Sequence, residues 1–243
     1  MTGFQRARSA EQREVRRTAI LATAAEMLQE MPVAELSLNA LSRRVCLAKS
    51  NVLRYFESRE AVLLELLTAQ WADWLEELPG LLAAVPADAP VADRVERVAE
   101  LVASAAAARP VLCDLLGAQA GVLERNLSPE VAAAWKRSSL TDATRLGAVI
   151  GAAVPELTDA AAIEAAAGVS VVAGALWQHT QPSAAMLEAY RAAPDLAAMK
   201  LDFAPALQEV LAVVLTGLLH RPPIGGGPFG MPLPVSITGR VAP

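Results

Sequence analysis

The chain is poor in the residues that most often carry catalysis or bind metal ions. It contains two cysteines and two histidines in 243 residues. Cys46 and Cys113 are too few for a disulfide framework, and neither His179 nor His220 lies in a Glu-x-x-His or Cys-x-x-Cys pattern that would indicate zinc. We therefore expect no metal, no cofactor and no catalytic residues, and an all-helical enzyme is the least favoured function.

Long uncharged apolar segments are also missing. The mean hydropathy of +0.35 is high. However, the longest such run in the predicted helical part of the chain, Ala165–Trp177, has 13 residues, fewer than the ~18–20 that a membrane-spanning helix needs. The first residues, MTGFQRARSAEQREVRR, are polar where a secretory signal carries an apolar segment. We expect a cytoplasmic protein that makes no contact with a membrane.

Acidic residues outnumber basic residues, and the formal net charge is −5. The two signs are unevenly distributed, because residues 1–60 carry ten Lys or Arg against seven Asp or Glu, whereas residues 61–243 carry 11 against 19. A nucleic-acid-binding surface is judged by the face that meets the phosphates and not by the total charge. The basic N-terminal segment is therefore the candidate for such a surface.

Apolar residues recur at helical spacing almost throughout, which predicts an all-α protein. The helix starts are marked by capping residues and first-turn prolines, as at Ser128-Pro129, and the ends by prolines and glycines, as at Pro79-Gly80. The predicted helices cover about 10–30, 38–45, 49–55, 59–78, 89–107, 110–121, 129–152, 159–179, 184–191 and 204–220. Prolines and glycines crowd residues 222–243, which we expect to be disordered.

Residues 37–56, SLNALSRRVCLAKSNVLRYF, predict a short helix, a tight turn and a second short helix. This is the pattern of a helix-turn-helix, whose second helix can lie in a DNA major groove. With its flanks, the segment Ile20–Leu67 resembles the DNA-binding head of the TetR family of dimeric repressors. The resemblance implies a three-helix DNA-binding domain over 1–57, a helical effector-binding and dimerisation domain over 58–221, and a tail over 222–243.

A recognition helix needs small and polar side chains at its exposed N-terminal end, with basic residues near the rim for phosphates. Asn51 suits an adenine edge and Arg54 suits guanine or phosphate. The resemblance adds Ser37 and Arg59, at positions that usually touch phosphate. The expected DNA-binding residues are Ser37, Arg43, Arg44, Ala48, Lys49, Ser50, Asn51, Arg54, Tyr55 and Arg59. For Lys49 and Arg54 the alternative is a solvated helix surface, and for Arg43 and Arg44 it is a solvated helix end whose dipole they complement.

Two positions depart from the family pattern. Cys46 stands in the turn where the family usually has glycine, and a residue with a side chain pays about 1–2 kcal/mol in a left-handed conformation. We expect Cys46 to be a small buried side chain, with a redox role as the alternative. Leu53 stands where the family commonly has a tyrosine that contacts phosphate, so Arg54 is the candidate to replace that contact.

The resemblance also implies that the body holds a ligand chamber and that its last two long helices pack against a second subunit. In the predicted helix 159–179, small residues such as Gly174 permit close approach of another helix, and the helix 204–220 is apolar on nearly all sides. We expect a homodimer through about 158–179 and 204–220, the alternative being two central helices of a monomer.

The predicted ligand is an unidentified small molecule, largely apolar because these helices contain few charges. The candidates for its contacts are the large or sulfur-containing side chains of the body, each with plain core packing as the alternative. They are Trp71, Trp74, Cys113, Trp135 and Trp177. The expected function is a transcriptional repressor that binds an inverted-repeat operator and is released by this effector. The alternative is a constitutive DNA-binding protein without an effector.

Overall fold

The computed structural model describes residues 2–221, and within residues 2–10 only the course of the backbone. The disorder predicted for 222–243 lies outside the described residues. Within the described range the chain is helical and contains no strand, which confirms the all-α prediction. The helices are α1 (Thr2–Glu30), α2 (Leu38–Arg44), α3 (Lys49–Val52), α4 (Arg59–Leu82), α5 (Val91–Ala107), α6 (Pro110–Ala118), α7 (Pro129–Ala153), α8 (Asp159–His179), α9 (Ala184–Ala192), α10 (Pro194–Ala197) and α11 (Phe203–His220), and a π-helical segment, Gln119–Leu123, continues α6.

Several predicted helix boundaries are wrong. Helix α1 begins at Thr2 rather than after Ser9, and the short α10 was not predicted. Helix α4 does not end at Pro79-Gly80 but continues to Leu82, since buried leucines on both sides of the proline keep the chain against the core. Helix α3 is shorter than predicted because the i to i+3 bonds from the Arg54 and Tyr55 amides to Asn51 and Val52 tighten its end into a turn.

The first three helices enclose a small core that continues into the body. Ile20 and Ala24 of α1, Leu41 of α2 and Val52 of α3 are fully buried in it. Leu63 of α4 is buried in the same cluster. Helix α4 therefore belongs to the head at its N-terminal end and to the body over the rest of its length.

In the body, α8 packs against α6, α7 and α11, and α11 packs against α5. At two helix contacts of the body, a glycine allows the backbones of the two helices to approach closely. A Cβ on Gly174 would lie 2.7 Å from the Leu116 carbonyl carbon, and one on Gly147 would lie 2.9 Å from the Ile163 amide nitrogen. The expectation that Gly174 faces a second subunit is wrong, because it faces α6 of its own protomer.

Helices α8 and α11 are also the two described helices long and apolar enough to cross a membrane by length and composition. Their mean hydropathies over 18 residues are 1.6 and 1.5, and 44% and 28% of those windows are buried inside the protein. On the basis of the sequence, a membrane-spanning helix was excluded because the run Ala165–Trp177 has only 13 residues. That count took in only uncharged residues, and this result corrects the exclusion. More than half of each window is therefore not buried inside the single chain.

Candidate functional sites

The α2–α3 segment forms the predicted helix-turn-helix. The Ser37 hydroxyl oxygen caps α2 by accepting a bond of 3.1 Å from the Ala40 amide. The turn then passes through Cys46, whose φ of 54° places it in the left-handed region. Cys46 therefore adopts the conformation that a glycine would adopt without strain, and the expected burial is wrong because Cys46 is exposed.

The short helix α3 separates its residues cleanly into two faces. Val52 is fully buried against the head, whereas the preceding Lys49, Ser50 and Asn51 are exposed. Ala48 occupies the N-cap position and is exposed as well. The residues expected to enter a major groove are therefore presented to solvent at the N-terminal end of the helix, as base readout requires.

Arg54 and Leu53, which follow α3, are exposed, and Leu53 is 41% accessible. Tyr55 is half-buried. Two arginines of α1 hold this end of the motif, since Arg13 Nη2 donates to the Arg54 carbonyl at 3.3 Å and Arg17 Nη1 donates to the Tyr55 carbonyl at 2.8 Å. The position of the recognition segment is therefore fixed in part by the first helix.

A basic cleft of about 300 Å³ lies between α1 and the end of the motif. It is lined by Gln12, Arg13, Arg16, Arg54 and Tyr55. Arg13 and Arg16 were not among the predicted DNA contacts. The signal that could have found them is the excess of arginine in the first helix, which the charge count detected but did not assign to a face.

Three of the other predicted contacts have partners within the protein. Arg44 forms a paired ion contact with Glu30 of α1, with one bond of 2.9 Å, and this contact raises the pKa of the guanidinium and lowers that of the carboxyl. The Arg59 guanidinium donates to the Val33 carbonyl and lies 3.7 Å from Glu60. The Ser37 oxygen accepts the cap bond. Arg43 is exposed at the end of α2. A phosphate contact by Arg59 stays a prediction, and it requires this guanidinium to turn outward.

Two of the hydrogen bonds between the head and the body reach α6 and the start of α7. The Val33 amide donates to Asp114 Oδ2 on α6 at 2.6 Å, and the Ser128 amide before α7 donates to Glu57 Oε1 at 2.7 Å. Asp114 also accepts from Gln178 Nε2 of α8 at 3.2 Å. The orientation of the head is thus tied to α6, α7 and α8.

A cavity of about 80 Å³ lies between α4, α6, α7 and α8. The side chains that line it combine apolar surface with several polar groups. They are Leu67, Thr68, Trp71, Leu116, Gln119, Trp135, Ser139, Asp142 and Ser170. Gln119 begins the π-helical segment, and such segments are frequent at functional sites.

Only two of the five predicted effector contacts line this cavity, namely Trp71 and Trp135. Trp74 lies behind Trp71, with ring centroids 5.1 Å apart, and is 1% exposed. Cys113 is fully buried, its thiol is 3.3 Å from the Ala106 carbonyl oxygen, and burial raises its pKa to about 12. Trp177 packs edge-on against Phe203 at 5.2 Å. These last three residues do not line this cavity, and their contact with an effector stays a prediction.

Two polar groups of the cavity lack good partners. The Trp71 Nε1–H is buried and has no hydrogen-bond acceptor among the described residues. Burial raises the pKa of the Asp142 carboxyl, while the charge of Arg145 and a hydrogen bond from Ser138 act in the opposite direction. Trp71 was among the ligand contacts predicted from the sequence, but Asp142 was not, since an Asp on a long helix is most often on a solvated face.

Comparison with known families matches nearly the whole described chain. Residues 20–66 match the model described as bacterial regulatory proteins of the tetR family. Residues 68–222 match the model described as a tetracyclin repressor-like C-terminal domain. No match is found among proteins of curated function.

Several solved structures share the fold at low sequence identity. A TetR-family transcriptional regulator from Mesorhizobium loti has a TM-score of 0.52 at 10% identity, over 85% of this chain and 96% of that one. A TetR transcriptional regulator from Rhodococcus sp. RHA1 has a TM-score of 0.51 at 12% identity, over 85% and 96%. The fatty acid degradation regulator FadR from Bacillus halodurans has a TM-score of 0.50 at 13% identity, over 85% and 97%.

Proposed function

The chain belongs to the TetR family of transcriptional regulators, and we propose that it is a cytoplasmic repressor that binds an inverted-repeat operator as a homodimer and is released by a small, largely apolar effector. The observation that carries the DNA-binding part is the exposed N-terminal end of α3. There Lys49, Ser50 and Asn51 are accessible, while Val52 anchors the helix in the head. Asn51 and Arg54 read bases, and Lys49 contacts the phosphates.

The exposed basic groups of α1 extend this interface. Arg13, Arg16 and Arg54 line one cleft, and guanidinium groups bind phosphate oxygens with paired hydrogen bonds. Arginines on one side of the head raise its affinity for any duplex, and the α3 residues add preference for a sequence.

Dimerisation is supported by the apolar faces that the protomer leaves open on α8 and α11. Val171 of α8 is 58% exposed and Val213 of α11 is 63% exposed. Gly217 of α11 is exposed, and nothing lies within 4 Å of the space that a Cβ on it would occupy, so another helix can approach there closely. Burying these faces against the same faces of a second copy makes a two-fold interface.

Effector control is supported by the position of the cavity beside α4. This helix begins at Arg59 in the head and passes Trp71 at the cavity. The two recognition helices of a dimer must lie about 34 Å apart to enter successive major grooves. A ligand that displaces α4 by a few ångströms changes this spacing and weakens DNA binding, and DNA then weakens ligand binding by the same factor.

Selection from random duplexes tests the DNA-binding part. Purified protein is incubated with a random library at physiological salt, bound duplexes are sequenced, and the enriched site is compared with a scrambled duplex of equal length. We expect an inverted repeat whose half-sites are one helical turn apart. Equal affinity for the enriched and scrambled duplexes would contradict the proposal.

Release of the selected operator by small molecules tests the effector part. A library of small apolar and amphipathic compounds is screened for loss of DNA binding by fluorescence anisotropy, and active compounds are checked for binding to DNA alone. We expect active compounds to change the emission of Trp71 or Trp135, because only these tryptophans line the cavity among the described residues. Absence of any such compound would favour the constitutive DNA-binding alternative.

A further inference from the structure

The polar side chains of the cavity mostly accept hydrogen bonds. The Thr68 hydroxyl donates to the Leu64 carbonyl at 3.0 Å, and the Ser170 hydroxyl donates to the Ala166 carbonyl at 3.2 Å. A hydroxyl group has one hydrogen, so each of these oxygens offers only lone pairs to a ligand. Gln119 Nε2 uses one of its two N–H groups to donate to Glu124 Oε1 at 3.1 Å, and the amide oxygen of Gln119 is a further acceptor.

Asp142 adds a carboxylate to this set of acceptors. Its side chain is 14% exposed, and its described ion-pair partner, Arg145 Nη1, lies 3.8 Å away and has a side chain that is 48% exposed. That distance exceeds a hydrogen bond, and a half-exposed guanidinium is largely screened by water. Burial raises the pKa of the Asp142 carboxyl even though Arg145 and a hydrogen bond from Ser138 lower it, which agrees with a charge that these two partners compensate only in part.

Donors that could hold an anion are scarce beside these acceptors. The donors that remain are the second N–H of Gln119 and the Ser139 hydroxyl, which can donate or accept, whereas the Trp71 Nε1–H is almost fully enclosed by protein. Lys136 lies over the Trp135 ring at 4.4 Å but is bound to Glu124 at 3.1 Å and is 60% exposed. Its charge is therefore already paired and lies largely in water.

We propose that this cavity binds a small organic cation, with its protonated amine at Asp142, Thr68 and Ser170 and its apolar part against Leu67, Leu116 and Trp135. This inference rests on the proposed function for the role of the cavity as the effector site. An ammonium group has three donors and no acceptor, which matches the lining. The tryptophan faces add attraction for a cation.

The size of the cavity limits which part of a ligand it encloses. A volume of about 80 Å³ corresponds to roughly two or three water molecules in the liquid. The amine and the first few carbons fit this volume. Gln119, Ser139 and Asp142 are only half-buried, so the rest of a longer ligand can leave through the mouth that they border.

Three probes that share a four-carbon chain test the preferred charge: n-butylammonium, 1-butanol and butyrate, each titrated into the full-length protein without DNA at pH 7. Binding is followed by tryptophan emission and by saturation-transfer NMR. We expect n-butylammonium to bind at least tenfold more tightly than butyrate. Butyrate binding as tightly as the amine, or no binding of any probe, would overturn the proposal. This comparison needs only the natural protein.

Amino acid substitutions test whether Asp142 causes the preference for the cation over the anion. Asp142→Asn should reduce the preference for n-butylammonium over butyrate at least tenfold and leave the affinity for 1-butanol unchanged. Asp93→Asn is the matched control, because Asp93 is an exposed acid on α5 that does not line the cavity. An unchanged preference in Asp142→Asn would overturn the assignment. Thr68→Val removes the hydroxyl oxygen that is proposed to accept from the ammonium group. We expect it to weaken binding of n-butylammonium and to leave the affinities for 1-butanol and butyrate unchanged.

Operator release is measured separately with the same three probes. Binding of n-butylammonium without any release of DNA would support the cavity chemistry and contradict effector control. Release of the operator by other compounds, together with failure of the amine to bind, would contradict the cavity chemistry and leave effector control standing.

Discussion

The Val33 amide of the head donates a 2.6 Å hydrogen bond to the Asp114 carboxylate of α6. Val33 is 1% exposed, so the Asp114 carboxylate takes the place of water as the partner of this amide. The carbonyl of the same residue accepts from Arg59 at the start of α4. The loop between α1 and α2 is therefore held by two helices of the body, and this makes it a direct link between the two parts of the molecule.

Asp114→Ala should destabilise the protein by about 1–3 kcal/mol, because it leaves the buried Val33 amide without an acceptor. Gln178→Ala is the control, since it removes the exposed partner of the same carboxylate. We expect the control to change stability by less than about 0.5 kcal/mol. Urea unfolding followed by circular dichroism measures both, and equal losses in the two variants would show that the Val33 contact contributes nothing of its own.

Substitutions at Cys46 test the strain in the turn. Glycine removes about 1–2 kcal/mol of left-handed strain but loses about 0.5–1 kcal/mol through its greater flexibility when unfolded. Cys46→Gly should therefore be up to about 1.5 kcal/mol more stable than Cys46→Ala, which keeps the strain. The comparison uses unfolding midpoints, and a variant pair of equal stability would argue against a strained turn.

Gly174→Ala should destabilise the protomer rather than separate a dimer. Its Cβ would lie 2.7 Å from the backbone of Leu116, and relieving such overpacking typically costs about 1–3 kcal/mol. Gly80→Ala, in open space on α4, is the control and should gain up to about 1 kcal/mol from helix propensity. Thermal unfolding distinguishes them, and a Gly174→Ala protein as stable as Gly80→Ala would contradict the close α6–α8 crossing.

Val171→Glu combined with Val213→Glu should convert dimers to monomers that remain helical. Both side chains are exposed in the protomer, so the charges disturb no internal packing, but two copies would bury them without partners. Val15→Glu, at a residue that is 65% exposed on α1, is the matched control. Sedimentation equilibrium gives the result, and a doubly substituted protein that stays dimeric would move the interface to another surface.

Arg16→Ala should weaken binding to all duplexes alike. If Arg16 contacts one phosphate, the slope of log affinity against log salt falls by about 0.9, while the sequence preference is kept. Arg191→Ala is the control, because Arg191 is exposed on α9 and pairs locally with Glu188 at 2.6 Å. A loss of sequence preference in Arg16→Ala, or an unchanged salt slope, would place this arginine outside the phosphate contacts.

The sequence predicted those parts of the fold that depend on neighbouring residues. The capping residues Ser37, Ser58, Ser128, Thr158 and Ser183 each accept a hydrogen bond from the amide three residues later, which is why the helix starts there were placed well. Pro79 misled the prediction, since a local signal for a helix end was overruled by burial of Leu78 and Leu82 in the core.

What depends on the packing of distant segments was not predictable. The helical period of α8 identifies Gly174 as small but cannot say that α6 lies against it. Trp71 and Trp177 have similar sequence surroundings, yet one lines the cavity and the other packs on Phe203. The same limit applies to Arg59, whose guanidinium turns toward Val33 instead of outward.

The contrast between the two cysteines gives the protein a built-in attachment point for spectroscopic labels. The Cys46 thiol is exposed in the helix-turn-helix, whereas the Cys113 thiol is buried and has a pKa raised to about 12. A maleimide reacts with thiolates that solvent can reach, so it modifies Cys46 without any engineered substitution. In a dimer, one nitroxide label on the Cys46 of each subunit would report the distance between the two recognition segments. Pulsed electron paramagnetic resonance would measure how this distance changes when operator or ligand is added.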